Sequence, residues 1–264
     1  MKKVLLCPPT FYDIEYEINP WMSVENKVDK GKVKKEFEAL KKVYTELGVE
    51  ILEIPQEKDL PDMVYAANFG FPIGDTFIKS NFKYPQRARE AEVSKQYFET
   101  LGMQVQELPE SVNWEGQGDL LTSKGRFFLG WGKRSDYESK KYLEKILGTE
   151  IIDFELINPY YYHLDTCFAV LDEDTVAINP VSFKPEGLKK IYENFSHVIP
   201  VSEQDNKLIA CNCVVVGKTI VTAKGISDDL KAAYAEAGFS TKEVPMEEFR
   251  KGGGSVKCLT LEFY

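Results

Sequence analysis

Apolar and polar positions repeat along this chain in one outline: an amphipathic helix, a Gly or Ser break, then a short extended segment. "KVKKEFEALKKVYTELGVEILEIP" is the clearest copy. Val33, Phe37, Leu40, Tyr44 and Leu47 fall on one helical stripe, Gly48 supplies the stop, and "VEILEIP" reads as a strand. The outline returns in "REAEVSKQYFETLGMQVQELP", "SDYESKKYLEKILGTEIIDFEL", "KPEGLKKIYENFSHVIPVS" and "SDDLKAAYAEAGFSTKEVP". Pro55, Pro109, Pro200 and Pro245 mark the strand ends in four of these units.

Between the units lie paired apolar runs: "MVYAANFGFPIGDTFIKS", "GDLLTSKGRFFLGWG", "TCFAVLDEDTVAINP" and "NCVVVGKTIVTAKG". Lys124-Gly125, Asp172-Glu173-Asp174 and Gly217-Lys218 punctuate the last three as hairpin turns. A fifth hairpin requires "SVKCLTLEFY" to pair with another strand, and "KKVLLCPP" is the one left over. The chain is therefore expected to close on itself as five mixed α/β units around an axis. No linker or low-complexity stretch divides it, so residues 1–264 read as one domain.

One polar residue opens each hairpin: Asn68, Glu115, His163, Asn212 and Cys258, with gaps of 47, 48, 49 and 46 residues. In a closed ring, residues at one repeat phase come from different units but point to one axis. A thiol, an imidazole, a carboxylate and two amides would then converge. Cys258 taken alone is as well explained as a small buried hydrophobe. Its phase, and the "GGGSVKC" glycines that permit close backbone approach, favour a nucleophile.

Composition narrows the partners. At 264 residues the chain can bury roughly 70–75% of its extended surface. Net charge is −9, with acidic and basic residues mixed along the sequence. Nucleic acid and anionic membrane both need a basic face, so neither is expected. "MKKVLLCPPT" has too short an apolar run for a signal peptide and reads as a strand. No stretch approaches the ~20 apolar residues of a membrane span. Five cysteines without disulfide-like spacing suit a reducing cytoplasm. No zinc-type Cys/His cluster is present, so no metal or other cofactor is expected. Assembly of several copies is left open.

His163, in "YYHLDTC", is either a satisfied core histidine or, at this phase, a general acid/base. His197 follows a helix end and reads as structural. Asp165 lies two residues beyond His163, so in a strand both would face one side. Glu115 and Asp119 share the Gly-rich turn "WEGQGDLL". Arg87 and Arg134 are ordinarily surface residues, though a small amino-acid substrate needs such groups for its carboxylate. Cys211 and Cys213 alternate with Asn212 and are expected to point away from it into the core.

"PDMVYAANFG", "WEGQGDLL", "WGKRS", "YYHLDTCFAVL" and "GGGSVKCLTLE" together resemble the amidinotransferase, or guanidine-modifying, superfamily with the pentein fold, an α/β propeller of five units with pseudo-fivefold symmetry. The match runs from residue 4 to 262 in motif order, and with "EINPWM" it looks most like the arginine dihydrolase branch. The resemblance implies Cys258 as nucleophile, His163 as general acid/base and Glu115 as the acid bonded to that histidine. It implies Asp165 and Asn68 at the guanidinium, and Arg87 and Arg134 at a carboxylate. Asn19 and Asp62 lie in matching motifs. Two departures stand out: Asn68 replaces the aspartate usual in dimethylarginine hydrolases and deiminases, and "EGQGD" is one residue longer than their "EGGD" or "DGGD".

The implied chemistry is attack of Cys258 on a guanidinium carbon, release of ammonia and hydrolysis of a thiouronium intermediate. Asn68 can donate a hydrogen bond to the neutral urea group of citrulline, where an aspartate would repel it. Citrulline is then expected to react again, giving ornithine, ammonia and carbon dioxide. Hydrolysis of dimethylarginine, or deimination that stops at citrulline, would use the same triad. A ribosome-binding protein on this fold would not need it.

Overall fold

Asp29 opens the longest helix. Its carboxylate accepts hydrogen bonds from the Gly31 and Lys32 amides and caps α1 (Lys30–Glu46). Val33, Phe37, Leu40 and Tyr44 are buried as the stripe predicts, and Gly48 leaves the helix at φ +72°. Burying each large side chain of this stripe contributes about 1.5–3 kcal/mol. The computed structural model describes residues 2–264, and this helix belongs to its first unit.

Every unit carries a three-stranded sheet with one connectivity. β1 (Lys3–Leu6) pairs in parallel with β2 (Glu50–Glu53) after α1. β3 (Gly70–Ile73) and β4 (Thr76–Lys79) form a hairpin, and α2 (Ala88–Thr100) leads to β5 (Gln104–Gln106), parallel to β4. The pattern repeats through β6 (Leu120–Ser123), β7 (Arg126–Trp131), α3 (Ser139–Leu147) and β8 (Ile151–Glu155). It repeats again through β9 (Phe168–Val170), β10 (Thr175–Ile178), α4 (Pro185–Asn194) and β11 (His197–Pro200). After the single-turn α5 (Glu203–Asn206) come β12 (Val214–Val216), β13 (Thr219–Ala223), α6 (Asp228–Glu236) and β14 (Ser240–Val244). The single-turn α7 (Glu247–Arg250) then leads toward β15 (Leu261–Glu262).

β15 pairs antiparallel with β1, Leu5 opposite Leu261, which completes the first sheet and closes the ring. The core follows the same order. Five apolar clusters each bridge two neighbouring sheets: Leu5 and Leu261 with Phe69 and Phe77, Phe71 and Ile78 with Phe127 and Leu129, and so on to Val214 and Val221 with Val4 and Leu6. This is the pentein propeller. Among the described residues no helix is long and apolar enough to cross a membrane. All five cysteines are free and buried.

Cys211 and Cys213 do reach the core, but not as strand neighbours of Asn212. Residues 207–213 form a turn ahead of β12, so their burial comes from the turn rather than from strand alternation. His197 is exposed on β11, opposite Thr175.

Candidate active site

The phased residues sit on tight turns ahead of the first strand of each sheet. Asn68 is in the 3-10 turn Ala66–Phe69, Glu115 and His163 immediately precede the turns Gly116–Gly118 and Leu164–Thr166, and Asn212 and Cys258 occupy the turns ahead of β12 and β15. The structural offsets are unequal: two residues before β3 and β12, five before β6 and β9, three before β15. Offsets of two and five differ by one full turn of a 3-10 helix, so side chains at both can project the same way. His163 and Asp165 accordingly belong to one turn and not, as the spacing suggested, to one strand face. Gly118 lies between two of these residues: a Cβ there would stand 2.3 Å from Asn68 Nδ2 and 3.1 Å from the His163 ring.

Cys258 is held by its neighbours from two other units. Its thiol donates to Asp165 Oδ2 at 3.3 Å, and Asn212 Nδ2 donates to the sulfur at 3.1 Å. Asn212 Oδ1 accepts from the Ser255 and Cys258 amides, while Nδ2 also donates to the Asp165 carbonyl. Both ends of the Asn212 amide are thus occupied in building the cysteine turn. Burial, then the Asp165 charge, push the Cys258 thiol well above its ordinary range. Burial raises Asp165 to about 7, opposed chiefly by Lys257. Asp165 Oδ1 has no hydrogen-bond partner.

The His163 side is more completely paired. His163 Nε2 lies 2.7 Å from Glu115 Oε2, which also accepts from Arg134 at 3.0 Å. Burial alone would raise Glu115, but Arg134 and His163 outweigh it and hold the carboxylate far below the usual range. Asp119 braces this corner: Oδ1 accepts from the Leu164 amide and Oδ2 from Ser135 Oγ. Burial pushes Asp119 up to about 6.

Both arginines are 3% exposed, against the expectation of surface residues. Arg87 makes a close pair with Glu90 and donates to Asn68 Oδ1 at 2.9 Å. Arg134 lies between the Tyr84 and Tyr162 rings at 4.6 and 4.5 Å and donates to the Ile18 carbonyl. These aromatic plates exclude water from the ion pairs. Asp62 accepts from Tyr16 at Oδ2, while its buried Oδ1 is unpartnered. Asn19 donates to the Gly252 carbonyl and the Tyr162 hydroxyl.

Cys258, Asn68, Asp62, Arg87, Arg134 and Asn19 line one narrow pocket, closed to a cavity of about 10 Å³. That is room for about one water molecule. Asp165 and Asn212 bond the thiol, and Glu115, with His163 on it, bonds Arg134 of the pocket lining. The glycine segment is packed, not loose: at Gly254 a Cβ would meet the Tyr65 ring at 2.4 Å. Sequence reasoning missed Tyr65, Tyr84, Tyr162, Ser135 and Lys257. Lys257 alone had a local signal, as the neighbour of Cys258. Among the described residues no group of three His, Cys, Asp or Glu side chains is placed to hold a metal ion.

A pentein ring with Cys, His and Glu at its axis defines the guanidine-modifying class. The profile described as N,N dimethylarginine dimethylhydrolase, eukaryotic, matches residues 15–264, and the chain belongs to that family. It is 38% identical to the bifunctional arginine dihydrolase/ornithine cyclodeaminase ArgZ of Synechocystis sp., over 98% of this chain but 37% of that protein's length. It is 36% identical to the N(G),N(G)-dimethylarginine dimethylaminohydrolase of Mycobacterium tuberculosis, over 100% of this chain and 86% of the relative. The crystal structure of the N-terminal domain of ArgZ covalently bound to a reaction intermediate superimposes with a TM-score of 0.96 at 34% identity, covering 100% and 98% of the two chains.

Proposed function

We propose that the chain is a cysteine-dependent hydrolase of the guanidinium group of free L-arginine, giving ornithine, ammonia and carbon dioxide. Residues 1–264 are read as one such unit. The observation that carries the reading is the buried Asp165 carboxylate, bonded to the Cys258 thiol through one oxygen and unpartnered at the other. A buried acceptor without a partner is costly, and a cationic guanidinium N–H supplies one.

The raised Cys258 thiol fits substrate-assisted ionisation: a guanidinium beside it favours the thiolate. The sulfur then bonds to the guanidinium carbon, and a C–N bond breaks as His163 protonates departing ammonia. His163, held by Glu115, next takes a proton from water, which adds to the thiouronium carbon and displaces the thiolate, leaving citrulline. The covalent intermediate in ArgZ supports this route by similarity. Arg87 and Arg134 each keep N–H groups beyond their present partners and are offered to the α-carboxylate, while Asp62 Oδ1 is offered to the α-ammonium.

Asn68 favours a second round. Arg87 donates to its oxygen, so the amide nitrogen is turned the other way, with one N–H on the Glu115 carbonyl. The remaining N–H can donate to the urea oxygen of citrulline and hold it for renewed attack. Cys258 then attacks the urea carbon, ammonia leaves as that C–N bond breaks, and a second water displaces the thiolate to give the carbamate of ornithine, which decomposes to ornithine and carbon dioxide. The family match favours a second reading, dimethylarginine hydrolysis at the same site. Incubation with L-arginine, with ornithine, citrulline and ammonia quantified, separates the readings. Ornithine with two ammonia is expected. Stoichiometric citrulline that the protein cannot consume identifies a deiminase, and dimethylamine from dimethylarginine alone identifies the second reading.

A further inference from the structure

The two ends of the Asn68 amide have different partners, and each partner admits only one assignment. The oxygen accepts from Arg87 Nη1 at 2.9 Å, and the nitrogen donates to the Glu115 carbonyl at 3.2 Å. A guanidinium can only donate and a carbonyl can only accept, so chemistry sets the direction of the amide. The Asn68 backbone is held separately. Its carbonyl accepts from Ser80 Oγ at 2.6 Å, and its N–H donates to the Tyr65 carbonyl at 3.1 Å. Rotation of the carboxamide is the freedom left, and the Arg87 contact opposes it.

Arg87 can do this only if it is itself fixed. Glu90 is fully buried in the first turn of α2, and it accepts from Arg87 Nε at 3.0 Å and from Nη2 at 2.7 Å. Two bonds from different nitrogens set the plane of the guanidinium as well as its position. The Phe82 ring lies 4.6 Å from the guanidinium carbon, and the Asp62 carbonyl accepts from Nη2 at 3.2 Å. With Nε and Nη2 so occupied, Nη1 is left to Asn68. Arg87 and Asn68 both line the narrow pocket, and Glu90 stands behind them outside its lining. Without Glu90, the buried and unpartnered Asp62 Oδ1 would compete for Arg87, which already reaches the Asp62 carbonyl.

We propose that Glu90 is a positioning residue that, through Arg87, keeps the Asn68 amide turned with its nitrogen toward the reacting group. The inference rests on the two-round reading above for its consequence, and on the hydrogen bonds alone for the orientation. A guanidinium brings N–H groups that need an acceptor, whereas the urea oxygen of citrulline needs a donor. An Asn68 turned the other way would offer its oxygen, which suits the first round and repels citrulline in the second. Loss of Glu90 should therefore fall on citrulline more than on arginine. Any contact of Arg87 with the α-carboxylate is common to both rounds, so a ratio of the two cancels it.

The test compares the parent with Glu90→Gln, which keeps the shape of the side chain but only one acceptor oxygen. One measurement is kcat/KM for citrulline divided by kcat/KM for L-arginine. The other is the nitrogen–proton NMR signal of the Asn68 carboxamide in substrate-free protein, assigned by its absence in Asn68→Asp. In Glu90→Gln the ratio should fall about fivefold, as for one lost hydrogen bond. Citrulline should accumulate while arginine is consumed, and the Asn68 signal should shift toward that of an exposed asparagine. Equal losses with both substrates would make Glu90 merely structural and overturn the proposal, as would an unmoved Asn68 signal. If the parent consumes no arginine, or stops at citrulline, the function proposed above fails, and the Asn68 signal alone then decides the orientation. If Glu90→Gln does not fold, Phe82→Leu removes the ring set against the same guanidinium. Ratio and signal should move in the same directions there, and an unmoved signal overturns the proposal equally.

Discussion

On the Glu115 side of the site every buried carboxylate oxygen has a partner; on the Asp165 side one oxygen has none. Glu115 is shared by His163, Arg134 and the Lys83 amide, and Asp119 by Ser135 and the Leu164 amide. Asp165 has only the Cys258 thiol for its side chain, and Asp62 likewise keeps one bare oxygen. The first region is organised before any ligand arrives. The second carries an unpaired acceptor, a cost of about 1–3 kcal/mol. One half of the site satisfies its own carboxylates, and the other leaves two buried acceptors open.

The comparison can be broken most severely at the nucleophile. Cys258→Ser should remove turnover by about 10⁴-fold or more while circular dichroism stays that of the parent. A folded variant with retained activity would end the covalent mechanism. A matched pair sharpens the contrast. Glu115→Gln should lower activity and also Tm, because it strips charge from a carboxylate that Arg134 and His163 hold ionised. Asp165→Asn should lower activity about 10²-fold but raise Tm at pH 8. The sign follows from the raised carboxyl of Asp165: its contribution to stability is present at low pH and lost as pH rises through about 7. The Tm gain of Asp165→Asn should therefore shrink toward pH 4. Equal Tm losses for both variants would erase the distinction. The smallest effect belongs to the exposed histidine: His197→Ala should leave kcat/KM near the parent value and stability within ~0.5 kcal/mol.

Much of the ring was legible because its signals are periodic. The α1 stripe, the Gly48 stop and the hairpin turns at Lys124-Gly125 and Gly217-Lys218 follow from backbone geometry that every unit repeats. Recurrence at nearly equal gaps also brought out Glu115, His163 and Cys258. Three-residue turns have no such periodicity, so the two-residue spacing from His163 reads Asp165 as a strand neighbour. The burial of Arg87 and Arg134 was illegible for another reason: it depends on Glu90, Glu115 and aromatic plates, and no local spacing announces Tyr84 and Tyr162 on either face of Arg134. Lys257 was hidden because its partners, Gln117 and Glu262, come from the second and the closing turns.

The pairing of β1 with β15 also sets an order of events. Four of the five sheets are built from strands close in sequence, whereas Leu5 meets Leu261 across nearly the whole chain. Closing so long a loop is entropically the most demanding contact and tends to come late. Cys258 sits three residues before that closing strand. Its thiol can take up its place between Asn212 and Asp165 only as the ring shuts, so recovery of activity on refolding should lag behind recovery of helix. The reactive sulfur is installed last.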